Sequence, residues 1–280
     1  RYAATVFAFG QTGSGKTFTI TGPEYGWNTY PERLGIIPRA LEFLFEDLFR
    51  RTRGLTPRPA GQPAPPNVSY KVKANYLEIY NELVQDLLSP ITSSSSSLPV
   101  RWTAERGFYV EHAIAVECQD LDDCMAVLEE GLKNRRTGAH RLNESSSRSH
   151  SIMTVYIESA SVDAEDGGPV SKCGKISFVD LAGAERVRES KAHGDTLTET
   201  MNINQSLLTL GNCISALADP KKRNGHIPYR DSNLTRLLAD SLGGSGLALM
   251  IACISPSRVN LQESLKTLRY ASRARKIRNR

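Results

Sequence analysis

The chain has 280 residues, and its 35 lysines and arginines against 30 aspartates and glutamates give a formal net charge of +5. Apolar residues make up 40% and charged residues 23% of the sequence, a globular composition that excludes a disordered tail, a collagen-like fibre and a small disulfide scaffold. The length suits one large α/β domain or two small ones, and the charge is compatible with an acidic polymer as partner if the basic residues cluster.

Strands and helices alternate in the apolar pattern. A β-rich run over 5–9 is stopped by Gly10, and a glycine loop and a helix start at Lys16 follow it. The later predicted elements are helices over 38–49, 81–88 (capped by Asn81), 121–136, 199–218, 232–242 (capped by Asp231 or Ser232) and 263–277, and strands over 68–80, 151–161, 175–179 and 247–254. A proline-rich segment over 52–67 and a serine run over 93–97 predict loops. Because several strands are uniformly apolar, the pattern predicts an α/β sheet with helices on both faces.

The cysteines and the apolar runs give further indications. The five cysteines are odd in number and form no C-x-x-C pair, which favours free thiols in a reducing compartment and disfavours a zinc site. The longest apolar run, residues 247–254, is far shorter than the ~20 residues that a membrane-spanning helix needs. The first apolar stretch runs directly into a glycine loop, which is not the pattern of a signal peptide.

The strongest motif follows the first strand, where residues 10–17 (GQTGSGKT) fit the phosphate-loop pattern G-x-x-x-x-G-K-[ST]. Glycines let a backbone fold around phosphate with its N–H groups pointing inward at the start of a helix. Lys16 would then reach the β- and γ-phosphates, and the Thr17 hydroxyl would hold Mg²⁺. A simple glycine turn before a helix is the weaker alternative, because the required strand and helix flank the motif.

A second motif could complete a nucleotide site. Residues 180–183 (DLAG) end a buried strand, at the place where α/β sheets bind ligands. Asp180 could hold Mg²⁺ through water, and the Gly183 N–H could bond the γ-phosphate and thereby report its hydrolysis.

A hydroxyl-rich run over 143–150 lies between these two motifs in the sequence. By itself the run could equally be a helix cap or an exposed turn. The order phosphate loop, hydroxyl loop, D-x-x-G favours a nucleotide switch. In that case Ser147 could ligate Mg²⁺ or the attacking water, and Arg148 could pair with Glu185.

These three motifs and two more resemble the motor domain of the kinesin superfamily in order and spacing. The five segments are GQTGSGKT, NESSSRSHSI, DLAGAERV, NINQSLLTLGNCISAL and HIPYRDSNLTRLLADSLGG, and NYLEIYNELVQDLL and LRYASRARKIRN are similar as well. The resemblance covers nearly the whole chain. It implies an α/β P-loop NTPase with a mixed central sheet, and a microtubule-stimulated, Mg²⁺-dependent ATPase that moves along or binds cytoplasmic microtubules.

The resemblance implies roles for the matching residues. The phosphates and Mg²⁺ would be bound by Gly10, Gln11, Thr12, Gly13, Ser14, Gly15, Lys16 and Thr17. Phe18 takes the place from which the family contacts the adenine. Switch I would comprise Ser146, Ser147 and Arg148, and switch II Asp180, Gly183 and Glu185.

In the same comparison, Thr17, Ser147 and, through water, Asp180 would hold the metal. The Arg148–Glu185 pair would close over the γ-phosphate and position water, and Asn204 falls near that water network.

The resemblance places the microtubule face on the stretch from Arg188 through the helix at Glu199. It adds six basic residues, which are Lys221, Lys222, Arg223, His226, Arg230 and Arg236. Tubulin's surface is acidic, so a basic loop beside a rigid helix suits it, although a solvated loop would be the better interpretation of 221–223 without the surrounding motifs.

Four positions depart from the family pattern. Ala184 replaces the usual Ser, while Met201, Gln205 and Asn233 stand where Lys occurs in members of the family. Three fewer positive charges near the filament predict weaker and less processive binding. The resemblance gives this segment no nucleic-acid or membrane partner, and it places oligomerisation and cargo regions outside the chain.

Two other classes compete with the motor interpretation. A small GTPase would need an Asn-Lys-x-Asp guanine reader, which the sequence lacks. A filament-binding module without ATP turnover would have lost at least one of the key residues, and Lys16, Thr17, Arg148, Asp180 and Glu185 are all present.

We also expect the chain to be a fragment. It opens with Arg1 and not with Met, and the resemblance implies further strands before the phosphate loop and a neck linker after residue 280. On that expectation, residues 1–280 expressed alone would be poorly soluble and would bind ATP weakly.

Overall fold

A seven-stranded mixed sheet forms the centre of the molecule. The structure is a computed structural model that describes residues 2–23, 31–55, 68–89, 97–142, 146–162, 168–185 and 195–279; the side chains of 138–146, 162, 169 and 195–204 lie outside this description. The strands are β1 (Tyr2–Phe9), β2 (Ser69–Tyr80), β3 (Leu83–Asp86), β4 (Val100–Thr103), β5 (Gly107–Val110), β6 (Val116–Cys118), β7 (His150–Val162), β8 (Pro169–Asp180) and β9 (Leu247–Ala252). The α-helices are α1 (Lys16–Ile20), α2 (Ile36–Thr52), α3 (Leu121–Leu142), α4 (Asp195–Ala218), α5 (Asn233–Leu242) and α6 (Leu261–Ala274).

The strand order is β3-β2-β7-β8-β1-β9, with β6 also paired to β2 and with β4 and β5 forming a separate hairpin. The strand β1 runs parallel to β8 and β9, whereas β7 runs antiparallel to β8 and β2. The predicted mixed sheet is therefore confirmed.

The register brings four strand ends to one edge of the sheet. Ala8 pairs with Asp180, Phe9 with Ala252, and Ser151 with Asp180. Because β7 is antiparallel to β8, the start of β7 lies beside the ends of β8, β1 and β9. The loops that follow β1 and β8 and the segment that precedes β7 consequently meet at this edge.

Helices cover both faces of the sheet, as the sequence predicts. On one face, Ile37 of α2 and Leu128 of α3 pack in a core with Phe178. On the other face, α4, α5 and α6 cover a core that includes Phe7 and Val179. Successive strand residues point to opposite faces, so β1 and β8 serve both cores.

Most predicted elements are present with longer bounds, but the short helix predicted after Asn81 is wrong. Asn81 (φ 52°) and Glu82 (φ 61°) both adopt the left-handed conformation, and Tyr80 pairs with Leu83 across them. Two such residues make the tight turn of a β-hairpin, so β3 returns along β2 where a helix is expected. Of the two residues predicted as possible caps of α5, Asp231 and Ser232, the cap is Ser232, whose hydroxyl accepts from Leu234 N.

The strand predicted over 247–254 is present as β9, but the prediction that it is buried is wrong. Leu247 and Leu249 are 75% and 57% exposed. The reason is position, since β9 is the last strand of the described sheet and pairs only with β1 among the described strands. Most of the proline-rich segment (its residues 56–67) and of the serine run (its residues 93–96) lies outside the described residues.

All five cysteines are free thiols, and Cys173 is the exposed one. Among the described residues, every helix is too short or too polar to cross a bilayer.

Candidate functional site

The phosphate-loop sequence forms a loop between β1 and α1 that only glycines permit at three positions. Gly13 (φ 76°) and Gly15 (φ 92°) adopt left-handed conformations that disfavour side chains. A Cβ on Gly10 would collide with the carbonyl oxygen of Cys253, directly after β9. The loop therefore has the open backbone that a phosphate cradle needs.

The loop folds around the carbonyl oxygen of Gln11. This oxygen accepts from Lys16 Nζ at 2.9 Å and from Ser14 Oγ at 2.7 Å. Lys16 is 7% exposed; burial lowers the pKa of its ammonium group, while Asp180 and Glu185 act in the opposite direction. The lysine is thus held as a largely desolvated cation inside the loop, where an anionic ligand would be attracted strongly.

Two of the three side chains predicted to hold Mg²⁺, Thr17 at the start of α1 and Asp180 at the end of β8, are in contact. Thr17 Oγ1 donates to Asp180 Oδ2 at 2.7 Å. Asp180 is 3% exposed, and its Oδ1 has no hydrogen-bond partner among the described residues. A buried carboxylate oxygen without a donor is costly, and a metal-bound water would supply that donor. The residues present therefore fit a hydrated Mg²⁺ ion.

Sequence reasoning missed Arg135, which lies beneath this pair. Its guanidinium donates to Asp180 Oδ2 and to the Ser151 hydroxyl, each at 3.0 Å, and to Glu78 Oε1 at 3.3 Å. The Arg135 side chain is 5% exposed, so it is a buried cation between two carboxylates. The available signal was its place in α3, because it continues the buried stripe of Cys124, Leu128 and Leu132 at helical spacing.

Backbone hydrogen bonds join the phosphate loop to the two predicted switch segments. Gly183 N donates to Ser147 O at 2.8 Å, and Ala184 N donates to Gly10 O at 3.1 Å. A Cβ on Gly183 would collide with the Thr12 hydroxyl and the Glu185 carboxylate, so a side chain at this position would displace these two groups. The structure thus brings together the three motifs that lie far apart in the sequence.

The Glu185 carboxylate lies against the phosphate loop. Its Oε2 accepts from Thr12 N at 2.8 Å, and its Oε1 accepts from the Thr12 hydroxyl. Arg148 ends the short turn Ser146–Arg148 that precedes β7. The pairing of Glu185 with Arg148 stays a prediction.

The remaining predicted nucleotide residues are placed as follows. Phe18 lies on α1 directly after the loop, with 52% of its surface exposed. Asn204 lies within α4, and Ser146 opens the short turn before β7, but the side chains of both are outside the description. Their predicted roles are neither supported nor opposed by contacts.

Five of the six predicted filament residues lie in the connection between α4 and α5, and the sixth, Arg236, lies on α5. Lys221, Lys222, Arg223, His226 and Arg230 are exposed. Asp219 organises the first turn, since its carbonyl accepts from Lys222 N and Arg223 N and its carboxylate accepts from Lys221 N at 2.9 Å. The basic side chains of this turn are consequently displayed to solvent on a backbone that is itself well bonded.

Arg236 and Asn233 have structural contacts that the sequence did not indicate. The Arg236 guanidinium donates to Arg230 O at 2.8 and 3.1 Å and to Asn233 Oδ1 at 3.2 Å. The Asn233 amide and backbone N–H both donate to Glu82, each at 2.7 Å. Asn233, one of the four positions that depart from the family pattern, therefore connects α5 to the turn between β2 and β3. Residues 188 and 199, predicted on the same face, have no described side chains.

Comparison with known proteins agrees with this geometry. The family model described as the kinesin motor domain matches residues 1–277. The chain belongs to the kinesin family. Kinesin-like protein KIF12 of mouse is 47% identical over 282 residues, covering 99% of this chain and 41% of KIF12. Mouse chromosome-associated kinesin KIF4 is 42% identical over 278 residues, covering 99% of this chain and 21% of KIF4.

A solved kinesin has the same fold. The structure described as "Structure of a fast kinesin: Implications for ATPase mechanism and interactions with microtubules" has a TM-score of 0.85 and 39% sequence identity, and the match covers 100% of this chain and 72% of that one. Kinesin motor domains generally bind ATP with Mg²⁺, hydrolyse it and bind microtubules. This kinesin chain spans less than half the length of KIF12 and about a fifth of KIF4.

Proposed function

We propose that this kinesin motor domain hydrolyses ATP with Mg²⁺, that microtubules accelerate the hydrolysis, and that the protein uses it to move along or bind cytoplasmic microtubules. The observation that carries the proposal is the Thr17–Asp180 contact between a phosphate loop and two predicted switch segments, in which the buried Oδ1 of Asp180 has no hydrogen-bond partner within the described part of the chain. A domain that binds ATP and microtubules with little motility is a second candidate. Exposed Gln205 and the internally bonded Asn233, both at positions where family members have Lys, favour it.

The metal ion would supply charge neutralisation for the phosphates. On the protein side, Thr17 Oγ1 would turn from Asp180 toward the ion, and Asp180 would accept from coordinated water through Oδ1. Arg135 would keep the Asp180 carboxylate in place, since its bond to Oδ2 leaves Oδ1 available. Lys16 would exchange its bond to the Gln11 carbonyl for the phosphates, because a buried ammonium binds an anion better than a neutral carbonyl.

The γ-phosphate would compete with Glu185 for the phosphate loop. The Thr12 N–H that a phosphate oxygen needs donates to the Glu185 carboxylate at 2.8 Å, and two anions cannot share that donor without repulsion. Glu185 would therefore leave the loop and become available to Arg148. Gly183 N–H would leave Ser147 O for the phosphate, so the backbone of switch II would move with nucleotide state.

The test is phosphate release from the full-length protein over a titration of microtubules. We expect release to rise with microtubule concentration and to vanish when EDTA removes Mg²⁺. Lys16→Ala is the control, since it should lose nucleotide affinity and abolish release by removing the charge that meets the phosphates. A response that stays flat as microtubules are added would contradict the motor proposal, while nucleotide binding without turnover would favour the second candidate.

A further inference from the structure

His150 joins switch II to helix α4 through both nitrogens of its ring. Nδ1 accepts from the backbone N–H of Ala182 at 2.9 Å. Nε2 lies 2.8 Å from the hydroxyl oxygen of Ser206 on α4. His150 and Ser206 are each 2% exposed, so water does not compete for either bond.

The identity of the donors fixes the tautomer of the ring. A backbone N–H can only donate, so Nδ1 carries a lone pair and the proton of the neutral ring is on Nε2. Nε2–H therefore donates to the Ser206 hydroxyl. Burial, with the nearby charges of Arg135 and Lys16, lowers the pKa of His150 to about 3, which keeps this single neutral form at physiological pH.

Three consecutive backbone N–H groups of switch II donate hydrogen bonds, and the His150 ring accepts one of them. Ala182 N–H donates to His150, Gly183 N–H to Ser147 and Ala184 N–H to Gly10. The Gly183 N–H shares a planar peptide unit with the carbonyl and Cα of Ala182, so a movement of Gly183 toward a phosphate would also shift Ala182 and strain its N–H bond to the ring. The imidazole is rigid and its two nitrogens are a fixed distance apart, so with both hydrogen bonds kept a shift of Ala182 would be passed to Ser206 on α4.

We propose that His150 is a positioning residue that transmits displacement of switch II to α4, and so couples the phosphate site to the microtubule face. This inference rests on the proposed function, in which the nucleotide at the phosphate site and the microtubule affect each other. The coupling passes through two named hydrogen bonds, and each can be removed separately. Ser206 lies on the same helix as the predicted microtubule-binding stretch, so α4 is the element through which the signal would reach the filament.

Two variants remove the Ser206 bond from opposite ends. In His150→Asn the shorter side chain can still present an oxygen to Ala182 N–H, but it cannot reach Ser206; Ser206→Ala removes the hydroxyl and leaves the ring. We expect each variant to keep microtubule-independent phosphate release and to lose about fivefold or more of the microtubule stimulation, as is typical of allosteric coupling. The double variant should be no worse than either single one.

The matched control is Ser241→Ala. Ser241 is also a buried serine (3% exposed) whose hydroxyl bonds another side chain, Thr5 Oγ1, at 2.7 Å, but it lies on α5 away from the switch segments. A general loss of buried hydrogen bonding would affect this variant equally. We expect its microtubule stimulation to be that of the wild type.

A second measurement separates this inference from the proposed function. Hydrogen exchange along α4 is compared between Mg-ADP and a non-hydrolysable ATP analogue, with binding of each nucleotide verified in the same samples and no microtubules present. We expect exchange in α4 to depend on the nucleotide in the wild type and in Ser241→Ala, and to lose that dependence in His150→Asn and Ser206→Ala. Nitrogen NMR of the wild-type ring should show Nδ1 unprotonated and Nε2 protonated.

The outcomes are distinct. If the wild-type protein is not stimulated by microtubules, the proposed function fails, while the exchange measurement still tests the coupling. If α4 exchange in both variants responds to nucleotide as the wild type does, or if the NMR spectrum shows a proton on Nδ1, the role of His150 is overturned. If His150→Asn folds poorly, Ser206→Ala alone decides the question.

Discussion

The hydroxyl of Thr17, in the first turn of α1, donates a 2.7 Å hydrogen bond to Oδ2 of Asp180, the last residue of β8. The same oxygen accepts from Arg135 Nη1 at 3.0 Å, while Oδ1 has no hydrogen-bond partner among the described residues. One oxygen of the carboxylate is therefore held by the protein, and the other is available to a ligand. This division gives Asp180 a structural role through Oδ2 and is compatible with the proposed metal-directed role of Oδ1.

Asp180→Asn should raise the Mg²⁺ concentration needed for half-maximal phosphate release by about 10–100-fold, the usual effect of changing a residue that contacts a metal through water. The amide has nearly the same shape but lacks the charge that attracts the ion. The measurement is phosphate release over a Mg²⁺ titration. Asp240→Asn is the control, because Asp240 pairs with Lys175 at 3.3 Å away from the site and should leave the Mg²⁺ requirement unchanged. Equal Mg²⁺ requirements for wild type and Asp180→Asn would contradict the metal assignment.

Arg135→Met should destabilise the folded domain by about 3–5 kcal/mol, since it leaves Asp180 and Glu78 without the cation that compensates their burial. Urea unfolding measures the free energy of unfolding. Lys133→Ala, two residues earlier on α3, removes an ion pair whose lysine is 72% exposed and should change stability by less than about 1 kcal/mol. A loss below about 1 kcal/mol for Arg135→Met would show that the two carboxylates do not depend on Arg135.

The sequence predicted those parts of the site whose residues are contiguous in the chain, and it missed a part that is assembled from distant residues. The phosphate loop and the D-x-x-G segment were found because the glycine pattern, the preceding strand and the following turn are all contiguous in the chain. Arg135 was missed because its partners, Glu78 and Asp180, lie 57 and 45 residues away and only the sheet brings them together. A charged residue in an apolar helical stripe was the only sign of it.

The turn after β2 shows how a distant contact can decide local structure. Glutamate rarely adopts a left-handed conformation, so the sequence around Asn81 and Glu82 favours a helix cap over a hairpin turn. In the structure the Glu82 carboxylate accepts from the Ser232 hydroxyl and from Asn233 N, each at 2.7 Å. These bonds, 150 residues away in the chain, hold the turn and the start of α5 together.

Glu82→Ala should therefore lower the free energy of unfolding by about 1–2 kcal/mol, through the lost bonds at the start of α5. Glu82→Gly should lose less, by roughly 1 kcal/mol, because glycine adopts a φ of 61° without the steric cost that alanine has. Urea unfolding of the two variants gives the difference directly. Equal stability of the two variants would mean that the backbone at Glu82 is not strained.

Arg148→Ala and Glu185→Ala should each stop ATP turnover without weakening nucleotide binding. Glu185→Ala also frees Thr12 N–H for a phosphate oxygen, so its nucleotide affinity should equal or exceed that of the wild type. The double variant should be little worse than either single one, as expected for groups that act as a unit. Single-turnover phosphate release and fluorescent-nucleotide binding measure the two effects. Additive losses of turnover would show that the two residues do not form a functional pair.

Acid should destabilise the domain through His150. Folding lowers the pKa of this buried imidazole from its ordinary 6.5 to about 3, chiefly by desolvation and also through Arg135 and Lys16. Between these two values the unfolded state binds a proton that the folded state does not, so stability is complete above about pH 6.5 and falls as the pH decreases. At pH 5 the loss should be roughly 2 kcal/mol, from 1.36 kcal/mol per pH unit.

The measurement is the free energy of unfolding at pH 7.5 and pH 5 for the wild type and for His150→Asn, which has no titrating group at this position. We expect the variant to lose roughly 2 kcal/mol less than the wild type between the two pH values. His112→Asn is the matched control, because His112 is exposed and asparagine tolerates its φ of 63°. The same acid dependence in wild type and His150→Asn would mean that His150 is not buried in the neutral form, and it would also remove the basis for a ring that accepts from Ala182 N–H.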